Sequence, residues 1–214
     1  MTHYDYICIE GNIGAGKTTL SRMLSEEFDT RLILEQFEDN SFLPKFYAEP
    51  DKYAFPLELS FLAERFQQLK KELTAHDLFR TITIADYFIN KSLIFARSTL
   101  QNDEYALFQK LFQIILPNLP KPNLIVYLHA GVGRLQNNIR ERGRSYEQNI
   151  MSEYLSKIQD AYLEYLRTQQ DFKILIIDTE KIDFVNNADH YKQLKTIIFA
   201  DHPIGISRFI IDQI

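Results

Sequence analysis

Apolar positions along the chain follow two periods. Five short runs rich in β-branched and aromatic residues, at residues 4–10 (Y-D-Y-I-C-I-E), 31–35 (R-L-I-L-E), 80–85, 123–129 (N-L-I-V-Y-L-H) and 173–177 (K-I-L-I-I), read as strands. Between them, residues 17–28, 53–73 and 104–116 carry apolar side chains at helical spacing, and Pro117 is expected to end the last of these. Strands alternating with helices predict an α/β fold in which a parallel sheet is covered on both faces. The stretch P-N-L-P-K-P at 117–122 looks like a linker but feeds the fourth strand. No internal repeat is visible. Residues 1–199 are expected to form one domain, and the tail 200–214, without clear periodicity, is left unassigned.

Composition narrows the class. A chain of 214 residues suits one domain with a full core. Its single cysteine, Cys8, excludes an internal disulfide and sits in an apolar run, where a small core residue is expected. No stretch reaches the length of a membrane helix, and the N-terminus has no signal-peptide pattern, so a cytoplasmic protein is expected. The net charge of −5 argues against a nucleic-acid partner.

The chemistry begins at residues 10–20, E-G-N-I-G-A-G-K-T-T-L. Positions 11–18 fit G-x-x-x-x-G-K-T, placed between a strand and a helix, as a phosphate loop requires. Gly11, Gly14 and Gly16 let the backbone curl, so that the amides of Asn12, Ile13, Ala15 and the residues up to Thr19 point at one phosphate chain. The helix end adds positive potential. Lys17 reaches β and γ oxygens, and the Thr18 hydroxyl suits Mg²⁺. The loop predicts a nucleoside triphosphate and a fold of the P-loop NTPase type, without specifying the acceptor.

Three further segments speak to the acceptor: L-E-Q-F-E-D-N-S-F-L-P-K-F-Y-A-E-P-D-K-Y-A-F at 34–55, R-G-R-S-Y-E-Q at 142–148, and E-Y-L at 153–155. With the loop they resemble the deoxynucleoside kinases, collinearly over residues 4–184. The resemblance implies a five-stranded parallel sheet with helices and a short arginine lid, at about residues 140–148. It implies a dimer, of like or unlike subunits, and transfer of the ATP γ-phosphoryl group to the 5′-hydroxyl of a deoxynucleoside, with Mg²⁺, in nucleotide salvage. Glu35 falls at the family's general base, although Gln36 stands where a proline is usual. Arg142 and Arg144 fall in the lid. Asn138 stands where a further lid arginine is expected, with Arg140 as a substitute. Tyr47 and Glu147 resemble residues that hold the 3′-hydroxyl, and Phe95 the ring that stacks on the base. Each has a plain alternative: a solvated acid for Glu35, a basic surface turn for the arginines, core aromatics for Tyr47 and Phe95.

Two departures bear on function. Where the family ends its third strand with acid-Arg-Ser, this chain has Ala85, Asp86 and Tyr87; a shift of one residue keeps the acid at Asp86, but either alignment loses the arginine. Asp86 is expected to approach Mg²⁺, or else to cap a helix. Lys91 and Arg97 are candidates for the missing cation. The second departure is Glu58, in the place of a base-reading glutamine. An ionised carboxylate only accepts hydrogen bonds, which matches the N1–H and exocyclic amine of guanine. Protonation of Glu58, or pairing with Arg65 one helical face along, would weaken that match. A nucleoside monophosphate kinase should carry more cations here, whereas Glu35, Asp39 and Glu58 make the region acidic. The expectation is a purine deoxynucleoside kinase; a nucleotide-binding subunit with weakened catalysis, or a monophosphate kinase, are the alternatives.

Overall fold

In a computed structural model, which describes residues 4–36, 40–74 and 82–211, the apolar runs become strands of one parallel sheet. The strands are β1 (Tyr6–Gly11), β2 (Arg31–Ile33), β3 (Thr83–Ala85), β4 (Leu124–His129), β5 (Lys173–Asp178) and β6 (Gly205–Ile210). Their order is β2-β3-β1-β4-β5-β6. The helices are α1 (Lys17–Phe28), α2 (Leu43–Ala48), α3 (Pro50–Thr74), α4 (Lys91–Thr99), α5 (Asn102–Ile115), α6 (Val132–Arg142), α7 (Ser152–Thr168) and α8 (Ala188–Ile198).

The alternation of side chains along each strand divides the core into two layers. Ile7 and Ile9, Leu124 and Val126, and Leu175 and Ile177 face α1, α6 and α8. Cys8, Ile125 and Tyr127, with Ile174 and Ile176, face α3, α4, α5 and α7. Cys8 is fully buried, the core position its setting predicts. A smaller cluster of Phe46, Ala54, Leu57 and Phe61 joins α2 to α3 and roofs the region beyond the sheet's carboxyl edge.

The sheet has six strands, not the expected five. The sixth comes from the tail left unassigned from residue 200. Among the described residues β6 pairs only with β5, in register from Lys173↔Gly205 to Asp178↔Ile210. As an edge strand it is half exposed: Ile206 and Phe209 pack on opposite faces while Arg208 and Ile210 face solvent, which blurs any period of two. Other differences lie at ends of elements. β2 stops at Ile33, so Glu35 lies just beyond it, and α5 stops before Pro117, which sits in a single 3-10 turn. Of the strand expected at 80–85, residues 80 and 81 lie outside the described residues.

β1 lies between β3 and β4, so connections leave it toward both sides of the sheet. The crevice outside the carboxyl ends of β1 and β3 is where ligands bind in open α/β sheets. The phosphate loop and Asp86 both open into it.

Candidate active site

The loop after β1 is shaped by two glycines that no other residue replaces freely. Gly14 and Gly16 hold φ of 81° and 86°. A Cβ on Gly14 would lie 2.6 Å from the carbonyl oxygen of Leu135, and one on Gly16 would lie 2.9 Å from the Phe184 ring. Lys17 Nζ donates to the Asn12 carbonyl at 2.9 Å and closes the loop on itself. Burial, and then the neighbouring Lys91, lower the Lys17 ammonium to about 8. A triphosphate would supply the negative charge that reverses this.

Outside the loop a groove runs from residues 14–19 to Arg134, Thr179 and Phe184. The segment 179–186 that forms its far wall was not singled out from the sequence. The signal was its place after the carboxyl end of β5. Arg134 fixes this wall by donating to the carbonyls of Glu180 and Ile182. Asn138, in place of the expected arginine, donates to the Gly14 carbonyl at 2.8 Å and braces the loop. Arg140, its suggested substitute, is exposed, bonds to Asn137 and lies outside both cavities.

On the inner side of Lys17 and Thr18 lies a second cavity. Asp86 organises its floor. One carboxylate oxygen accepts from the Thr18 hydroxyl at 2.5 Å and the other from the Glu35 backbone amide at 2.7 Å. The helix that follows is preceded by Asn90, so Asp86 is not its cap. Tyr87 turns away, fully buried, with its hydroxyl donating to Gln68 at 2.8 Å. The alignment that keeps an acid at 86 is therefore the one the geometry fits.

Glu35 is not a solvated acid: its side chain is 9% exposed. Arg65 grips one of its oxygens through Nε at 2.8 Å and Nη2 at 2.7 Å, and Lys91 Nζ lies 2.5 Å from the other. Burial would raise the Glu35 carboxyl, but Lys91, Arg65 and Lys17 outweigh it and hold it at about 2. Arg65 also donates to Ser92 at 2.8 Å, so it turns to Glu35 and not to Glu58, contrary to the pairing weighed from the sequence. Arg97 is exposed and lies over the Tyr105 ring. Of the two cations considered for the missing arginine, only Lys91 reaches the cavity. With Arg65 and Lys91 inside, the region is less acidic than the sequence implied; Asp39 lies outside the described residues.

At the cavity's apolar end, beside Phe46 and Phe61, is Glu58. It is 2% exposed; one oxygen accepts from the Thr99 hydroxyl at 3.0 Å and the other, Oε2, has no hydrogen-bond partner among the described residues. Burial raises its carboxyl to about 7, against the opposing pull of Arg65. Phe95 lines the same space, edge-on to Tyr162 at 6.1 Å. Tyr47 is half-buried at the cavity and stacks on Tyr146 with centroids 6.2 Å apart. Glu147 pairs with Arg142 and, at 3.6 Å, with Arg144; both arginines line the groove and the cavity alike. Sequence reasoning missed Tyr154, which closes the cavity from α7.

The groove along the loop and the inner cavity thus adjoin, sharing Lys17, Thr18, Arg142 and Arg144. The family model "Deoxynucleoside kinase" matches residues 7–202. A deoxyguanosine kinase of Bacillus subtilis is 37% identical over 194 residues, covering 88% of this chain and 93% of the relative. A deoxyguanosine kinase of Lactobacillus acidophilus is 34% identical over 211 residues, covering 93% and 92%. In fold, the chain is similar to a deoxyadenosine kinase from M. mycoides with bound dATP (TM-score 0.78, 23% identity, covering 91% of this chain and 100% of that one).

Proposed function

The chain belongs to the deoxynucleoside kinase family and is a phosphotransferase; on that premise we propose that it transfers the γ-phosphoryl group of ATP to the 5′-hydroxyl of deoxyguanosine in preference to other deoxynucleosides. One observation carries this: Glu35, Lys17 and Thr18 line a single cavity with Glu58, whose Oε2 has no hydrogen-bond partner among the described residues.

ATP lies with its triphosphate on residues 11–19 and its base toward 179–186. The acceptor enters the inner cavity with its 5′-oxygen beside Glu35. A bond forms between that oxygen and the γ-phosphorus, the bond from phosphorus to the β–γ bridging oxygen breaks, ADP leaves, and the hydroxyl proton passes to Glu35. A carboxyl held at about 2 is a weak base. It suits a loose transfer, in which the nucleophile is deprotonated late and orientation of its lone pair matters more than basicity. Arg142 and Arg144, at the junction of groove and cavity, act as the lid that neutralises the transferring oxygens. Glu147 releases them to accept from the 3′-hydroxyl, with Tyr47 as its phenolic partner.

Thr18 and Asp86 fit Mg²⁺: a hydroxyl and a carboxylate stand together at the loop, both hard oxygen donors, with phosphate oxygens completing the set. An ion held by Thr18 and Asp86 would supply neutralisation of phosphate charge. At the base, ionised Glu58 accepts from guanine N1–H and the 2-amino group, while Phe95 flanks the ring. The exposed Leu107 and Ile114 of α5 mark a seam for a second subunit, like or unlike, which sedimentation of the purified chain would detect.

The test is turnover. With Mg-ATP and each of the four deoxynucleosides, deoxyguanosine is expected to give the highest kcat/KM, and deoxynucleoside monophosphates are expected not to be phosphorylated. Preference for deoxycytidine or thymidine would remove the role given to Glu58. Phosphorylation of monophosphates alone would point to a monophosphate kinase, and binding without turnover to a nucleotide-binding subunit.

A further inference from the structure

Lys91 is placed where an isolated ammonium is unwelcome. It is the first residue of α4, at the helix end whose amides already carry positive potential, and it is 7% exposed. It is close enough to Lys17 for each to feel the other's charge, and it helps lower Lys17. Burying one cation beside another at a helix N-terminus is costly unless anions complete the set. Part of that need is met by Glu35, whose Oε2 takes one of the three ammonium hydrogens. Among the described residues no second hydrogen bond of Lys91 is seen, and the side chain lines the cavity beside Lys17 and Thr18. Its remaining side lies 5.4 Å from the centre of the Phe95 ring, so the head group is held between the apolar recess and the loop.

The alternative cations are otherwise committed. Arg65 spends Nε and Nη2 on Glu35 and Nη1 on Ser92, and its plane lies over Phe61 at 4.7 Å. Arg97 is outside the cavity. Lys91 combines one fixed partner, Glu35, with ammonium hydrogens that no other described residue accepts.

We infer that Lys91 is a catalytic cation, contacting the transferring phosphoryl group at the point where the acceptor hydroxyl attacks it. The inference rests on the phosphoryl-transfer reading above. When the nucleoside enters, its 5′-hydroxyl takes the place of Lys91 at Glu35 Oε2. The ammonium then swings onto an equatorial oxygen of the γ-phosphoryl group, opposite Lys17. Lys91 keeps its proton throughout; the proton released in the reaction is the hydroxyl's, and it goes to Glu35. The contact exists only with both substrates in place, so it contributes to the transition state more than to binding either substrate.

Lys91→Ala, Lys91→Arg and Arg97→Gln in the full chain test this, with deoxyguanosine and Mg-ATP saturating. Lys91→Ala is expected to lose about 10²–10³-fold in kcat, with each KM changed less than about threefold. Added propylammonium should restore kcat at least tenfold, saturably, in Lys91→Ala and have no effect on wild type or Arg97→Gln. Lys91→Arg should keep more activity than Lys91→Ala. If Lys91→Ala does not fold, Lys91→Met replaces it and is read against Lys91→Arg alone, since it leaves no space for propylammonium. The inference is overturned by a Lys91→Ala enzyme within threefold of wild-type kcat, by a loss confined to KM, or by one that neither propylammonium nor arginine relieves. An active wild type with an unimpaired Lys91 variant defeats only this inference; a wild type that forms no monophosphate defeats the kinase reading.

Discussion

The two sides of the site are built by different means. The phosphate side is backbone: amides of one continuous loop, turned by Gly14 and Gly16 and stiffened by Lys17 and Asn138. The acceptor side is side chains from distant segments: Glu35 after β2, Glu58 and Arg65 on α3, Asp86 after β3, Lys91 and Phe95 on α4. A backbone cradle binds any triphosphate and tolerates little covalent change. A side-chain cluster chooses the acceptor and sets the chemistry, and each member depends on the charge of the others. The two halves should therefore fail differently when altered.

The largest effect belongs to the acceptor side. Glu35→Gln keeps an acceptor for Arg65 but removes the charge to which the proposed function gives the orientation and deprotonation of the hydroxyl. We expect kcat to fall about 10²–10⁴-fold, while ATP binding by titration calorimetry stays near wild type. Equal losses in ATP affinity and kcat would mean that the two sides are not separable. Because Lys91 and Arg65 would then be buried without their carboxylate, the thermal midpoint should drop as well.

The phosphate side should give the converse. Gly14→Ala places a methyl 2.6 Å from the Leu135 carbonyl at a φ of 81°, and neither the backbone nor that oxygen can yield cheaply. The expected result is an ATP KM raised at least tenfold, with deoxyguanosine binding measured alone changed much less. A variant with normal ATP KM would show that the loop relaxes around the methyl.

This contrast also explains what the sequence discloses. Residues 11–18 were legible because the cradle needs a fixed spacing of glycines in one segment, and α1 was read to both its ends because it follows directly. Glu35, Asp86 and Glu58 were legible as positions. Their partners were not, since nothing in the sequence says that Arg65 prefers Glu35 to Glu58 or that Lys91 faces inward while Arg97 faces out. Those choices are made by how α3 and α4 pack, which is tertiary. β6 escaped for a related reason: an edge strand with a single neighbour needs less apolar patterning than one buried on both faces. The wall at 179–186 carries no motif, and its role comes from where β5 delivers it.

A smaller effect concerns choice of base. Glu58→Gln should lower kcat/KM for deoxyguanosine by about 10-fold or more, because a buried donor then faces guanine donors, and raise that for deoxyadenosine. In the wild type the same exchange should be driven by pH. Below about 7 Glu58 is protonated, offers one donor and one acceptor, and suits adenine; above it the carboxylate accepts twice and suits guanine. The deoxyguanosine-to-deoxyadenosine ratio of kcat/KM should rise from pH 6 to 8 in wild type and stay flat in Glu58→Gln. A parallel rise in both proteins would assign the effect to another group.

The smallest effect is on stability without ligand. Glu58 has a folded-state value near 7, above its ordinary range, because burial and an unpartnered oxygen penalise its charge. An acid shifted this way leaves the fold unpenalised below the unfolded-chain value of about 4.3. The penalty accumulates as pH rises from there to about 7 and is constant above, at about 4 kcal/mol. Glu58→Gln carries no such charge. Its thermal midpoint relative to wild type should therefore shift upward between pH 5 and pH 8, by on the order of 5 °C for a chain of this size. Deoxyguanosine should narrow the gap at pH 8, since its two donors satisfy the carboxylate. An offset independent of pH would mean that Glu58 is already ionised at pH 5, with Arg65 meeting its charge as well as that of Glu35.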